Sequence, residues 1–143
     1  MFIGIQDRTN AAMTETEKIT INLNVVDLGK IDLLVEEGFY MNRTDFIRTA
    51  IRNEIGQYKK KIEETVITRN YVLGVNVLTA DGLTQCQREG KMIDVKTVGM
   101  TTISNGVTPD LAEQTIARIK VWGRLQMPED VRERLESLGR IEQ

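Results

Sequence analysis

The segment KITINLN, residues 18–24, alternates strictly between polar and apolar positions. Ile19, Ile21 and Leu23 are apolar, and the residues between them are Lys, Thr and Asn. This period of two predicts a β-strand with one buried face. No hairpin partner precedes or follows the segment, so its backbone groups have no predicted partner within the chain.

Two helical patterns follow this segment. In the first, we expect Asp27 to be the N-cap and Gly38 to be the C-terminal stop. The second begins at Asn42, a good N-cap, and is predicted to end near Glu64. A strand–helix–helix unit of this size cannot bury all of its apolar surface alone. Antiparallel pairing of the strand with its copy in a second chain would supply the missing partner, so we expect an isologous homodimer.

The second half of the chain carries a faint internal repeat. Three apolar, strand-like runs each contain a glycine, and each leads through a turn, ADG, SNG or PED, into a short helical pattern. Thr108 is a predicted N-cap with Pro109 at the first helical position, and Pro128 is predicted to open the last helix likewise. The period favours stacked strand–helix units with parallel strands. An ordinary α+β domain with coincident glycines is the alternative. The three glycines are Gly74, Gly99 and Gly123.

The composition excludes several kinds of metal site and catalysis, but it does not indicate what the protein binds. The chain has no histidine, and Cys86 is its one cysteine, which excludes an internal disulfide, the usual zinc, nickel and copper sites, and histidine-based catalysis. We therefore expect no metal, no cofactor and no enzymatic activity. The net charge of −2 does not indicate nucleic-acid binding. No apolar run approaches the roughly 20 residues of a membrane span, and no signal pattern opens the chain, so we expect a cytoplasmic protein.

The segments KITINLN and NRTDFIRTAIR together resemble the ribbon-helix-helix domain of the Arc, methionine-repressor and CopG group. The resemblance covers roughly residues 17–58. It implies an intertwined dimer whose two-stranded antiparallel ribbon enters the major groove of double-stranded DNA. Many members have proline where this chain has Asn24, which leaves the role of Asn24 open.

The resemblance also implies the residues that contact DNA. Base reading carries over to three alternate strand residues, whose side chains can pair with guanine, thymine or adenine edges. Phosphate binding carries over to the first turn of the second helix, where unpaired N–H groups meet a partial positive charge. The base-reading residues are Lys18, Thr20 and Asn22, and the phosphate-binding residues are Asn42, Arg43 and Thr44.

These observations predict an α+β chain in three parts. Residues 1–16 form a flexible arm, in which Met13 is a candidate true start; residues 17–64 form the ribbon-helix-helix domain; residues 65–143 form a small α/β domain that joins dimers or regulates them. The expected function is a sequence-specific transcriptional regulator, most simply a repressor. The alternatives are an antitoxin with a toxin partner, and a self-assembling structural protein.

Overall fold

The computed structural model describes residues 15–142, and these divide into two compact units. The first is Lys18–Thr65. The second begins at Val66 and also includes the described residues that precede Lys18. The described residues contain six helices and one four-stranded sheet. The flexible arm predicted for residues 1–16, and the candidate start at Met13, lie almost wholly outside the described residues.

Residues 18–24 have no secondary structure in the single chain, so the strand predicted there is absent. The physical reason is that a strand needs a hydrogen-bonded neighbour, and within the described residues the sheet comprises only strands from residue 72 onward. Every residue of the segment KITINLN is exposed, including those at its apolar positions.

Helix α1 spans Val25–Glu36. Its N-cap is Asn24, whose Oδ1 accepts a hydrogen bond from the Val26 N–H at 2.8 Å. The assignment of the cap to Asp27 was therefore wrong, and Asp27 instead lies in the first turn, where its charge complements the helix dipole. The role left open for Asn24 is helix capping, worth about 1 kcal/mol.

Helix α1 ends as predicted at Gly38. This glycine has φ +84°, and the N–H groups of Gly38 and Phe39 donate to the carbonyls of Val35 and Leu34. These two bonds form a Schellman motif, which satisfies carbonyls at the helix end and requires a residue that tolerates positive φ.

Helix α2 spans Arg43–Gln57 and is followed after one residue by helix α3, Lys59–Thr68. The single helix predicted to end near Glu64 is therefore two helices. The break lies at Tyr58, whose N–H donates to the Ile55 carbonyl in a tighter, three-residue turn. The nearby Gly56 favours such a break because glycine is a poor helix former.

The C-terminal unit alternates strands and helices. Its elements are β1 Val72–Leu78, α4 Ala80–Arg88, β2 Ile93–Ile103, α5 Pro109–Thr115, β3 Ile116–Gln126, α6 Glu129–Ser137 and β4 Ile141–Glu142. All strand pairs are parallel, and the sheet order is β1-β2-β3-β4. Thr108 caps α5 with Pro109 in its first turn, as predicted. That the strand–helix units constitute a true repeat stays a prediction.

Strand β4 was not predicted, and two details of the predicted elements also differ. The ADG segment is not a turn but the start of α4, because Thr79 caps the helix by accepting from the Gly82 N–H at 3.1 Å. Pro128 is the N-cap of α6 rather than its first helical residue. Both shifts are of about one turn or less and leave the order of elements unchanged.

The three glycines of the strand-like runs pair with one another across the sheet. Gly74 is in register with Gly99, and Gly99 with Gly123. All three have positive φ, between +118° and +132°. In β2 the Oγ1 atoms of Thr97 and Thr101 lie 2.9 Å apart, although four residues of straight strand span about 13 Å. The strand therefore bends sharply at its glycine.

The core of this unit lies between the helices and the sheet. Strands β2 and β3 and helices α4, α5 and α6 all contribute apolar side chains that are almost fully buried. Two threonines of the bend, Thr97 and Thr101, are buried with them and satisfy each other by hydrogen bonding. The core residues are Leu83, Val95, Ile103, Val107, Ala112, Ile116, Ile119, Val131 and Leu135.

Candidate nucleic-acid interface

The segment predicted to read bases is an exposed, extended stretch directly ahead of α1. Lys18, Thr20 and Asn22 are all exposed, and within the described residues none of their side chains has a hydrogen-bond or ion-pair partner. Their donors and acceptors are therefore unpaired with respect to residues 15–142. The structure places the three residues together on one short segment.

The apolar positions of the same segment are exposed too. The exposed fraction is 71% for Ile19, 54% for Ile21 and 39% for Leu23. Three apolar side chains at alternate positions, all facing water, are an unusual cost for a soluble protein. A partner that covers them would remove that cost.

The helices of this unit extend the uncovered apolar surface. In Lys18–Thr65, Ile31 is the one apolar residue among the described residues that is fully buried. A unit with one buried apolar residue has almost no core of its own and leaves most of its apolar surface uncovered in the single chain. The most exposed apolar residues of the unit outside the KITINLN segment are Val25, Val26, Leu33, Phe39, Met41, Ile55 and Tyr58.

The start of α2 is built to leave two backbone donors free. The Asn42 Oδ1 accepts from the Asp45 N–H at 2.8 Å, and Asp45 in turn accepts from the Met41 N–H at 3.0 Å. These two hydrogen bonds fix the direction of the helix start, as a capping box does, although Asp45 accepts from Met41 rather than from Asn42 itself. The N–H groups of Arg43 and Thr44 have no acceptor within the described residues. They lie at the positive end of the helix dipole, where an anion is favoured.

The Arg43 side chain forms an ion pair with Asp32, a residue that the sequence analysis did not indicate. Its Nε and Nη2 donate to the two carboxylate oxygens of Asp32 at 2.7 and 2.8 Å, which ties α2 to α1. These hydrogen bonds hold the pKa of Asp32 below its ordinary value and raise the pKa of Arg43. Asp32 and Arg43 are eleven residues apart on different helices, so no local spacing would have revealed the pair.

The C-terminal unit has a polar depression at the carboxyl ends of its strands. Its volume is about 320 Å³, and its lining is uncharged. The Thr102 Oγ1 is buried there without a hydrogen-bond partner among the described residues. Such a lining suits hydrogen bonding to neutral polar groups. The lining residues are Thr102, Ile103, Ser104, Asn105, Gln126 and Met127.

No group of three or more histidine, cysteine, aspartate or glutamate side chains is arranged to hold a metal ion within residues 15–142. Across the same range, no helix is both long and apolar enough to pass through a membrane.

Comparison with known families identifies the class of protein. Residues 14–132, which run from the exposed segment into α6, match the ribbon-helix-helix transcriptional regulator family. This match places the chain among DNA-binding transcriptional regulators. The chain belongs to the ribbon-helix-helix transcriptional regulator family, and most of its C-terminal unit lies within the matched range. No curated protein and no solved structure gives a significant match to the chain.

Proposed function

We propose that the protein is a homodimeric, sequence-specific repressor that inserts a two-stranded β-ribbon into the major groove of its operator. The observation that carries this proposal is the exposure of Ile19, Ile21 and Leu23 in the single chain, in a family of transcriptional regulators. Pairing of two KITINLN segments satisfies their backbone groups and covers these side chains in one step. The ribbon then blocks access to the promoter.

In such a ribbon, Lys18, Thr20 and Asn22 face away from the helices, six side chains in each dimer. Lys18 donates to guanine N7 and O6, and Asn22 pairs with the adenine edge. Thr20 offers its hydroxyl to a base edge or its methyl group to thymine. The absence of intramolecular partners for these side chains among the described residues supports this assignment.

We propose that the first turn of α2 binds a backbone phosphate through the N–H groups of Arg43 and Thr44, with Asn42 holding the turn in place. The free donors at this turn support the proposal. The Arg43 guanidinium already pairs with Asp32, so its charge at the phosphate is partly offset. The contact positions the protein on DNA and reads no sequence.

We propose that the C-terminal unit joins dimers into a higher oligomer. Strand β1 is an edge strand of the sheet, and its Val72 and Leu73 are 43% and 60% exposed. An edge with unpaired backbone groups and apolar side chains favours pairing with another chain. Dimers joined in this way would bind neighbouring half-sites cooperatively. Nothing in the described part of the chain favours a toxin partner or a purely structural role.

Selection of bound duplexes from a random-sequence pool, followed by a mobility shift with the selected site, tests the proposal. We expect a shifted complex with two chains for each site and a preference for the selected duplex over an unrelated one. A folded dimer that binds neither duplex at low salt would contradict the proposal and favour the structural alternative.

A further inference from the structure

Arg124, in strand β3, holds the chain just ahead of the base-reading segment. Its Nη1 lies 3.1 Å from the Glu15 Oε2, and its Nε lies 3.6 Å from the Glu17 Oε2. The Arg124 side chain is 42% exposed, so both ion pairs lie at the surface of the C-terminal unit. One guanidinium therefore binds two carboxylates that are two residues apart.

Glu15 and Glu17 lie directly ahead of the base-reading segment in the chain. Glu17 is bonded directly to Lys18, and the boundary between the two compact units falls at that peptide bond. The Arg124 ion pairs thus hold the two carboxylates that immediately precede the base-reading segment in the chain. This long-range contact joins residues 109 apart in sequence.

The charges of Glu15 and Glu17 oppose DNA binding at this place. Two carboxylates within three residues of Lys18 would repel phosphates on either side of a groove that the segment enters. Arg124 offsets that repulsion and limits the conformations open to the chain ahead of Lys18. Restricting residues 15–17 lowers the conformational freedom that the chain must lose when the segment after them binds.

We propose that Arg124 is a positioning residue for DNA recognition: it offsets part of the negative charge of Glu15 and Glu17 and restricts the chain immediately ahead of the base-reading segment. This inference rests on the proposed function, because it assumes that the segment following Glu17 reads DNA. It assigns the C-terminal unit a part in DNA affinity that is separate from oligomerisation.

Strand β3 offers a matched control. Arg118 also forms an exposed ion pair, with its Nε 3.2 Å from the Glu142 Oε1, but it has no contact with Glu15 or Glu17 among the described residues. The variants Arg124→Ala and Arg118→Ala remove the same charge from the same strand. A general electrostatic effect would change both alike.

The experiment measures binding of the full chain to a fluorescein-labelled duplex carrying the site that the wild type selects from a random-sequence pool. Binding is titrated between about 50 and 200 mM salt. The proteins are the wild type, Arg124→Ala, Arg124→Lys, Arg118→Ala, the double variant Glu15→Gln/Glu17→Gln, and the triple variant that adds Arg124→Ala. Thermal melts and solution mass confirm that each protein is folded and assembled like the wild type.

We expect Arg124→Ala to weaken binding about three- to tenfold at low salt, the scale of one or two exposed ion pairs. Arg124→Lys should recover part of that loss, and Arg118→Ala should bind like the wild type. In the Glu15→Gln/Glu17→Gln background, Arg124→Ala should have little further effect, because the carboxylates that it offsets are gone.

Two results would overturn the inference while leaving the proposed function intact. One is wild-type affinity for Arg124→Ala. The other is an equal loss from Arg124→Ala with and without the two carboxylates, which would mean that Arg124 contacts DNA itself or acts only on stability. A wild type that selects no site at all would instead contradict the proposed function, and this inference with it.

Discussion

The glycine row of the C-terminal sheet allows a prediction with an internal control. Gly74 and Gly99 both have positive φ, +118° and +132°. A Cβ placed on Gly99 would lie 2.2 Å from the Gly74 carbonyl oxygen, whereas one on Gly74 would meet nothing within 4 Å. Alanine at either position therefore strains the backbone, but only at Gly99 does it also clash with the neighbouring strand.

The backbone strain and the steric clash contribute separately to the loss of stability. A non-glycine residue in this region of φ costs about 1–3 kcal/mol, and this term applies to both variants. Ordinary contact begins near 3.5 Å, so at Gly99 the paired strands must separate by more than about 1 Å. Forced separation of packed groups costs about a further 1–3 kcal/mol. We expect a loss of about 1–3 kcal/mol for Gly74→Ala and about 2–6 kcal/mol for Gly99→Ala.

The single tryptophan of the chain makes the measurement specific to this unit. Trp122 lies in β3, so its fluorescence during urea unfolding reports on the C-terminal sheet and not on Lys18–Thr65. The free energy of unfolding comes from the midpoint and slope of that transition. Both variants should be compared with the wild type at one chain concentration, because assembly changes apparent stability.

Equal losses for Gly74→Ala and Gly99→Ala would refute this reasoning. They would mean that the carbonyl of Gly74 does not lie against Gly99, and that the parallel register of β1 and β2 is not as described. A larger loss at Gly74 would refute it more strongly, since that position has open space.

Three further predictions concern the unit Lys18–Thr65. Thr20→Ala and Asn22→Ala should each lower the ratio of specific to nonspecific DNA binding, with about 1–3 kcal/mol lost where a bidentate pair with a base is removed, as for Asn22 with adenine. Neither change should alter thermal stability much. Unfolding of either variant would contradict the outward placement of these side chains. Ile21→Asp should convert dimer to monomer in a solution mass measurement, because Ile21 is 54% exposed in the single chain and is expected to be covered in the dimer; a variant that stays dimeric would place the dimer contact elsewhere. Asp32 has a pKa held below its ordinary value of 3.8 by the Arg43 hydrogen bonds, so its pairing stabilises the fold above that pH and the contribution is lost as the pH falls through the lowered pKa. Asp32→Asn should therefore lose less stability than the wild type in acid unfolding below about pH 4, and an unchanged pH profile would mean that the pair does not stabilise the fold.

Local signals in the sequence predicted much of the fold. The cap and stop residues of α2, α5 and the end of α1 follow from Asn42, Thr108 and Gly38, because each satisfies backbone groups within a few residues of itself. The alternation of the first three strands with three helices in the second half follows from short apolar runs and the polar segments after them, whereas the two-residue β4 gave no signal. Where two capping residues compete, as Asn24 and Asp27 do at α1, the sequence alone does not decide between them.

Contacts between distant residues were beyond the reach of sequence patterns. The pair of Arg43 with Asp32 and the binding of Glu15 and Glu17 by Arg124 depend on how elements pack, not on spacing. The bend at the glycine row was also missed, although the glycine period indicated where to look. For the candidate site, the alternation in KITINLN predicted which side chains share a face, while the pairing of that face with a second chain stays a prediction.

The central claim is that two KITINLN segments pair and read DNA together. Its most direct test is the binding stoichiometry and specificity of the wild type, measured by sedimentation with a labelled duplex carrying the selected site and with a scrambled duplex of equal length and composition. We expect complexes with an even number of chains on the selected duplex and a preference of at least about tenfold over the scrambled one, which corresponds to about 1.4 kcal/mol. A monomer bound to DNA, or equal affinity for both duplexes, would contradict the claim.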